Sequence, residues 1–327
     1  MPGPAKDLSD QPGATGAQPF KLFAPSAPAG PLILNSPHSG RNYSADFRAA
    51  SRLDARTLRL SEDCFVDELF ASAPSHGTTL IAGTYPRAYI DVNREPMELD
   101  PRMFDDRLPA EANTTSDRVA AGLGTIARVV CSGLPIYDGK LLYAEERARI
   151  ENIYKPYHTA LQSLIDDAQA RCGFAILFDC HSMPSGQMGQ MGQTGRQRNM
   201  LANRRPLPTD RGSRPLDPDM VLGDRYGRSC APGLTARIEE LLQDMGYSVV
   251  RNDPYAGGYC TVRYGRPRAG VHAIQIEINR RLYMDEARIR RRTKAMQHVA
   301  DDMDRLIGAV NAMDIADLGA SASLAAE

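Results

Sequence analysis

Tryptophan is missing from this chain of 327 residues, and aromatic residues make up only 6% of it, so any core is built mainly on aliphatic side chains. Strong net charge is missing too. With a formal value of -1 there is no overall basic field of the kind that gathers nucleic acid or an anionic membrane surface. No run approaches the roughly 18 consecutive apolar residues of a membrane helix. The opening MPGPAKDLSDQPGATG lacks the charged head and apolar middle of a secretion signal. Six cysteines are scattered without a Cys-x-x-Cys pair, which argues against a disulfide framework and against a thiolate zinc site. No Gly-Lys-Ser/Thr phosphate loop is present. These absences leave a cytoplasmic globular protein with no call for nucleic acid or membrane, and a chain long enough to bury a substantial core.

What is present is an alternation. Strand character is read at ILNS (33 to 36), TLIA (79 to 82), AYIDV (88 to 92), FAILF (174 to 178), YSVV (247 to 250) and HAIQIEI (272 to 278). Helical spacing separates these stretches. SEDCFVDELFAS reads as a helix with acids in its first turn. EERARIENIYKPYHTALQSLIDDAQARCG reads as a long helix kinked at Pro156 and ended by Gly173. LTARIEELLQDMG closes on Gly246, and a long, basic, surface-facing helix is expected from Asp285 to about Met313. The expected fold is α/β: a mixed, largely parallel sheet with helices on both faces. Residues 1–30 are expected to be a disordered leader, 31–313 one catalytic domain, and 314–327 a disordered tail. The Gly-, Gln- and Arg-rich stretch 184–218 is expected to be a flexible insertion near the site.

Two aliphatic strands run into unusual ends. LILNSPHSG delivers His38, and FAILFDCHSM delivers His181. Ligand crevices of open α/β sheets lie at the carboxyl ends of strands, so the two imidazoles suit a shared metal. A third ligand is open among Asp63, Glu62 and Asp179. In HAIQIEINRRLYM, Glu277 lies between two isoleucines, with Gln275 and Asn279 on its strand face. A carboxylate there is costly unless paired or used, either as a general base or in an ion pair with Arg280, Arg281 or Arg94. In YPRAYIDVNREP, Arg87 and Arg94 bracket Asp91 and Asn93, and arginine forks suit an anionic small substrate. His272 reads as structural, and His76, His158 and His298 as surface residues without a role.

SPHSG, SEDCFVDEL, IDVNREP, EERARIENIYKPYH, LFDCHS, DPYAGGY and IQIEINRRLYM, in that order, resemble the N-formylglutamate amidohydrolase family from about residue 31 to 300. The resemblance implies a zinc-dependent exopeptidase-like fold. It also implies hydrolysis of N-formyl-L-glutamate to formate and glutamate, a step of histidine degradation. It carries over His38 and His181 as metal ligands, Asp63 as the third, and Glu277 as the catalytic base. Arg94, Asn93 and Arg263 are the expected contacts of a small anionic N-acyl amino acid. Arg41 stands where carboxypeptidase-like relatives have an acidic ligand. Tyr259 stands where some deformylases have histidine, and the stretch after His181 has no counterpart. These departures keep open a zinc deacylase for another N-acyl amino acid or small amide. A non-catalytic protein that binds anions or a partner is the reading from a different class.

Overall fold

Aliphatic runs that end in polar residues build the centre of the molecule. The computed structural model describes residues 18–28, 30–130, 133–186 and 217–314. Its main sheet holds β1 (Phe20–Phe23), β2 (Leu32–Ser36), β3 (Thr79–Gly83), β4 (Ala175–Met183), β5 (Met220–Gly223), β6 (Val249–Arg251) and β7 (Val271–Asn279). Their spatial order is β1-β3-β2-β4-β7-β5-β6. The four central strands β3, β2, β4 and β7 run parallel, whereas β1 and β5 are antiparallel to their inner neighbours. The expected mixed, largely parallel sheet is therefore what forms.

Period-two alternation divides the core between the two faces. Ile176, Phe178 and Cys180 of β4, with Ile274, Ile276 and Ile278 of β7, pack on one side. There they meet α3 (Pro232–Asp244) and α5 (Thr293–Asn311). Ala175 and Leu177, with Val271 and Ala273, pack on the other side against α2 (Lys155–Cys172) and α4 (Tyr259–Tyr264). Each fully buried Ile, Leu or Phe contributes about 1.5–3 kcal/mol, so the central strands anchor the fold. On the second face alone, the aliphatic pattern stops halfway along β4 and β7. Asp179 and His181 on one strand, and Gln275 and Glu277 on the other, take over the buried positions.

Several local expectations are corrected. Phe20–Phe23, inside the stretch expected to be a disordered leader, pairs with β3 and packs Phe20 and Leu22 onto the second face. Residues 1–17, 187–216 and 315–327 of the expected leader, insertion and tail lie outside the described residues. Ala88–Val92 forms no strand; it belongs to a run of turns, and its backbone bonds to Pro86 and Thr125 rather than to a ladder. Of SEDCFVDELFAS only Val66–Leu69 is helical, because Phe65 is held at φ 67° just before it. The long helix around Pro156 is two: α1 (Tyr143–Arg149) and α2, joined by a π-helical turn at Ile150–Tyr154. Pro156 cannot donate and its ring crowds the carbonyl four residues back, so the turn before it widens, with the Lys155 amide reaching Ile150. Gly173 ends α2 at φ +82°, as its lack of a side chain permits. The last helix begins only at Thr293, after a short ribbon of Met284–Asp285 with Arg290–Arg291. It buries Val299, Met303, Leu306, Ile307 and Val310 rather than lying free on the surface.

Candidate functional site

The register of β4 and β7 sets His181 directly beside Glu277, and Asp179 beside Gln275. On the other flank of β4, Asn35 of β2 stands opposite Asp179. His38 follows β2 after Pro37. Its carbonyl accepts the Asp63 amide at 3.0 Å, which brings that carboxylate to the two histidines. Phe65 pays for its left-handed backbone with ring contacts to Arg41 and Arg291, whose guanidinium carbons lie 5.5 and 4.9 Å from its centroid.

His38, Asp63 and His181 are all buried, and one ligand atom from each lies within 4.8 Å of the other two. Asp63 Oδ2 is 2.8 Å from His181 Nδ1 and 3.3 Å from His38 Nδ1. Asp63 Oδ1 accepts from Arg280 at 3.1 Å and from Ser182 at 3.4 Å. Burial alone would raise the Asp63 carboxyl, but its bond to His181 and the nearby His38 ring hold it well below the usual carboxylate range. Burial would lower His181, yet Asp179 and Asp63 hold it well above the usual imidazole value.

The outer partners decide which nitrogens face inward. His38 Nε2 is 2.7 Å from Asp91 Oδ1. Burial would raise Asp91, but Arg87, Arg94 and His38 keep it ionised. A carboxylate only accepts, so His38 carries its proton on Nε2 and turns a lone pair on Nδ1 toward Asp63. That Nδ1 is buried with no hydrogen-bond partner. A ring nitrogen and a carboxylate oxygen 3.3 Å apart in a buried site need a proton or a cation between them, and the set of two imidazoles and one carboxylate fits a metal ion. His181 Nε2 lies against Asp179 Oδ1 at 3.1 Å and Asn93 Nδ2 at 2.9 Å.

Glu277 stands at the edge of this group. Among the described residues its hydrogen bond comes from Gln275 Nε2 at 2.6 Å, and no salt bridge reaches it. Burial pushes its carboxyl up to about 7, with Asp63 adding to the rise and His181 and Arg87 opposing it. A carboxyl at that value accepts and returns protons near neutral pH.

The remaining sequence candidates separate cleanly. Glu62 turns away from the histidines to Tyr43, Arg59 and Cys64, and Asp179 is held by Asn35 and Asn93 beneath His181. Arg280 pairs with Asp63 and Arg281 with Asp217 and Asp219, so neither neutralises Glu277. Asn93, expected to touch substrate, spends Nδ2 on Asp179 and His181 and accepts the Cys260 amide on Oδ1. A side chain at Gly258 would come within 2.7 Å of that same Asn93 amide, which is why the Gly-Gly pair is needed there. Arg94 is buried, with Nε on the Leu123 carbonyl and NH1 on that of Asn93. Arg263 is exposed and donates to the Tyr259 hydroxyl. Arg87 is different. It gives NH2 to Asp91 at 2.8 Å, its side chain is 24% accessible, and its charge acts on Asp63 and Glu277. His158, expected on the surface, is buried between Tyr264 and the Val92 carbonyl, and burial lowers it to about 4. His272 accepts the Ala231 amide, a structural contact.

Tyr255 was not singled out by its sequence, yet Glu277 and Asp63 both act on its phenol, which burial pushes up. Nothing in the spacing of DPYAGGY signals this, because the loop returns to the site only through tertiary packing. A cavity of about 1380 Å³ lined by Phe47, Tyr89, Glu146 and Arg149 contains none of the four central residues. Among the described residues no helix is long and apolar enough to cross a membrane.

Comparison with known proteins places these residues in context. The family model for N-formylglutamate amidohydrolase matches residues 30–284, a span that contains His38, Asp63, His181 and Glu277. An N-formylglutamate deformylase from Pseudomonas putida is 30% identical over 259 residues, covering 78% of this chain and 82% of that protein. One from Pseudomonas aeruginosa is also 30% identical, covering 78% and 83%. The crystal structure of N-formylglutamate amidohydrolase from Ralstonia eutropha JMP134 is similar with a TM-score of 0.78 and 36% identity, covering 90% of this chain and 98% of that one.

Proposed function

The chain belongs to the N-formylglutamate amidohydrolase family, and from that membership we propose that it hydrolyses N-formyl-L-glutamate to formate and L-glutamate. His38, Asp63 and His181 would hold one zinc ion. The single observation that carries the reading is the buried donor set of those three residues, with Glu277, in no salt bridge among the described residues, beside it. The family resemblance also suggests cytoplasmic histidine degradation as the setting of the reaction.

Zinc, when bound, would supply Lewis acidity at the formyl oxygen and acidify water. The chain's own residues do the rest. Glu277 takes a proton from the attacking water. The hydroxyl adds to the formyl carbon, the C–N bond breaks with its electron pair on nitrogen, and Glu277 returns the proton to that nitrogen. Formic acid and the amine leave, and the second proton of the water passes from the acid to the amine to give formate and the ammonium form of glutamate. Arg87, whose charge acts on both Asp63 and Glu277, is the cation proposed to meet the developing negative charge on the formyl oxygen. Asp91 holds the His38 ring in the required tautomer.

Formate release from N-formyl-L-glutamate tests the reading, measured before chelation, after it, and with zinc restored. Release that stops on chelation and returns with zinc is the expected result. A zinc-loaded sample that releases no formate from this substrate refutes the assignment.

A further inference from the structure

Gln275 occupies the position on β7 two residues before Glu277, on the same face, opposite Asp179 of β4 and Gly223 of β5. Its amide nitrogen donates to Glu277 Oε1 at 2.6 Å. That contact turns the NH2 group of the amide toward Glu277 and its oxygen away. The oxygen, Oε1, is then left buried with no hydrogen-bond partner. Gln275 as a whole is 5% exposed. A buried acceptor without a donor is costly, and natural folds rarely keep one unless something else satisfies it.

The chemistry of the reaction supplies a candidate donor. N-formyl-L-glutamate near neutral pH carries two carboxylates and a formyl oxygen, all acceptors, and only one donor, the amide N–H. That nitrogen must also lie within reach of Glu277, since Glu277 returns the proton to it. Gln275 Oε1 belongs to the amide already bonded to Glu277, a few ångströms from the carboxyl that returns the proton.

We infer that Gln275 is a substrate-binding catalytic residue whose Oε1 accepts the amide N–H of the N-formyl substrate. The role rests on the deformylase reading above and deepens it. Holding the N–H on Gln275 fixes the amide plane and turns the nitrogen lone pair, as it develops during C–N cleavage, toward the protonated Glu277. The same contact favours N-acyl substrates that keep an N–H over esters, which have none.

The test crosses one substitution with one change in the substrate. Wild type and Gln275→Met, both zinc-loaded, are assayed on N-formyl-L-glutamate and on the corresponding ester, (S)-2-formyloxyglutarate, in which oxygen replaces N–H. The acceptor role predicts a loss of kcat/KM on the amide that is roughly tenfold larger than the loss on the ester. An equal loss on both substrates would mean that Gln275 acts only by holding Glu277, and would overturn the inference. No loss on either overturns it as well. Wild type that releases formate from neither substrate overturns the deformylase reading itself, and the role of Gln275 with it. Gln275→Leu serves as a second variant should the methionine form fail to fold, and unchanged zinc content in the variant separates the effect from damage to the metal group.

Discussion

Replacing Glu277 with glutamine should make the chelated protein more stable at pH 8 but not near pH 4.5. Burial raises the Glu277 carboxyl from 4.5 to about 7 in the folded chain. A group raised on folding binds its proton more tightly in the native state than in the unfolded one, so ionising it costs stability. The wild type is therefore unpenalised below the unfolded value of about 4.5, loses stability as pH rises through the interval, and carries the full penalty above about 7. At about 1.4 kcal/mol per pH unit, that interval corresponds to about 3 kcal/mol. Gln275 still finds an acceptor in the amide of Glu277→Gln, and groups remote from Glu277 titrate alike in both proteins and cancel from the difference. Urea unfolding of both proteins with the metal removed, at pH 4.5, 6 and 8, gives the measurement. The variant should match the wild type at the lowest pH and exceed it by about 3 kcal/mol at the highest. An offset that stays constant across the range would refute the claim that this carboxyl is pushed up by burial.

Other expectations concern the metal group. Glu277→Gln should keep full zinc stoichiometry by atomic absorption while losing nearly all turnover; retained activity would remove Glu277 from the role of base. His38→Ala and His181→Ala should each lose the metal, and full stoichiometry in either would take that histidine out of the ligand set. Asp91→Asn leaves the shape of the side chain but weakens its hold on His38 Nε2–H, so zinc affinity by competition with a chelator should fall about 10–100-fold. Affinity equal to wild type would show that Asp91 does not orient the ring.

The parts of this protein legible in its sequence are those written by local rules. Aliphatic runs marked five of the seven strands, and strand ends placed His38 and His181 on one edge of the sheet because ladders of parallel strands share their carboxyl ends. Glu277 was legible for the opposite reason: a lone carboxylate among isoleucines has no local explanation. β1 and β5 were missed because Phe20–Phe23 lies in a Pro- and Ala-rich stretch and Met220–Gly223 is only four residues long. Ala88–Val92 has strand composition, yet the chain there turns to carry Asp91 and Arg87 to the histidines.

Which side chains would meet was not written locally at all. Glu62 and Asp63 are neighbours in one buried turn, and only folding sends the first to Arg59 and Tyr43 and the second to His38 and His181. Arg94 and Arg87 looked equivalent in sequence until Leu123 and Asn93 were brought against Nε and NH1 of the first and Asp91 against NH2 of the second. Sequence by itself determined the elements and the chemical kinds of residue at their ends, because propensity, burial pattern and spacing act over a few residues. The tertiary structure alone decided partners, tautomers and the raised Glu277 carboxyl, because those depend on charges and desolvation contributed by segments up to about two hundred residues apart, such as Glu62 and Arg280.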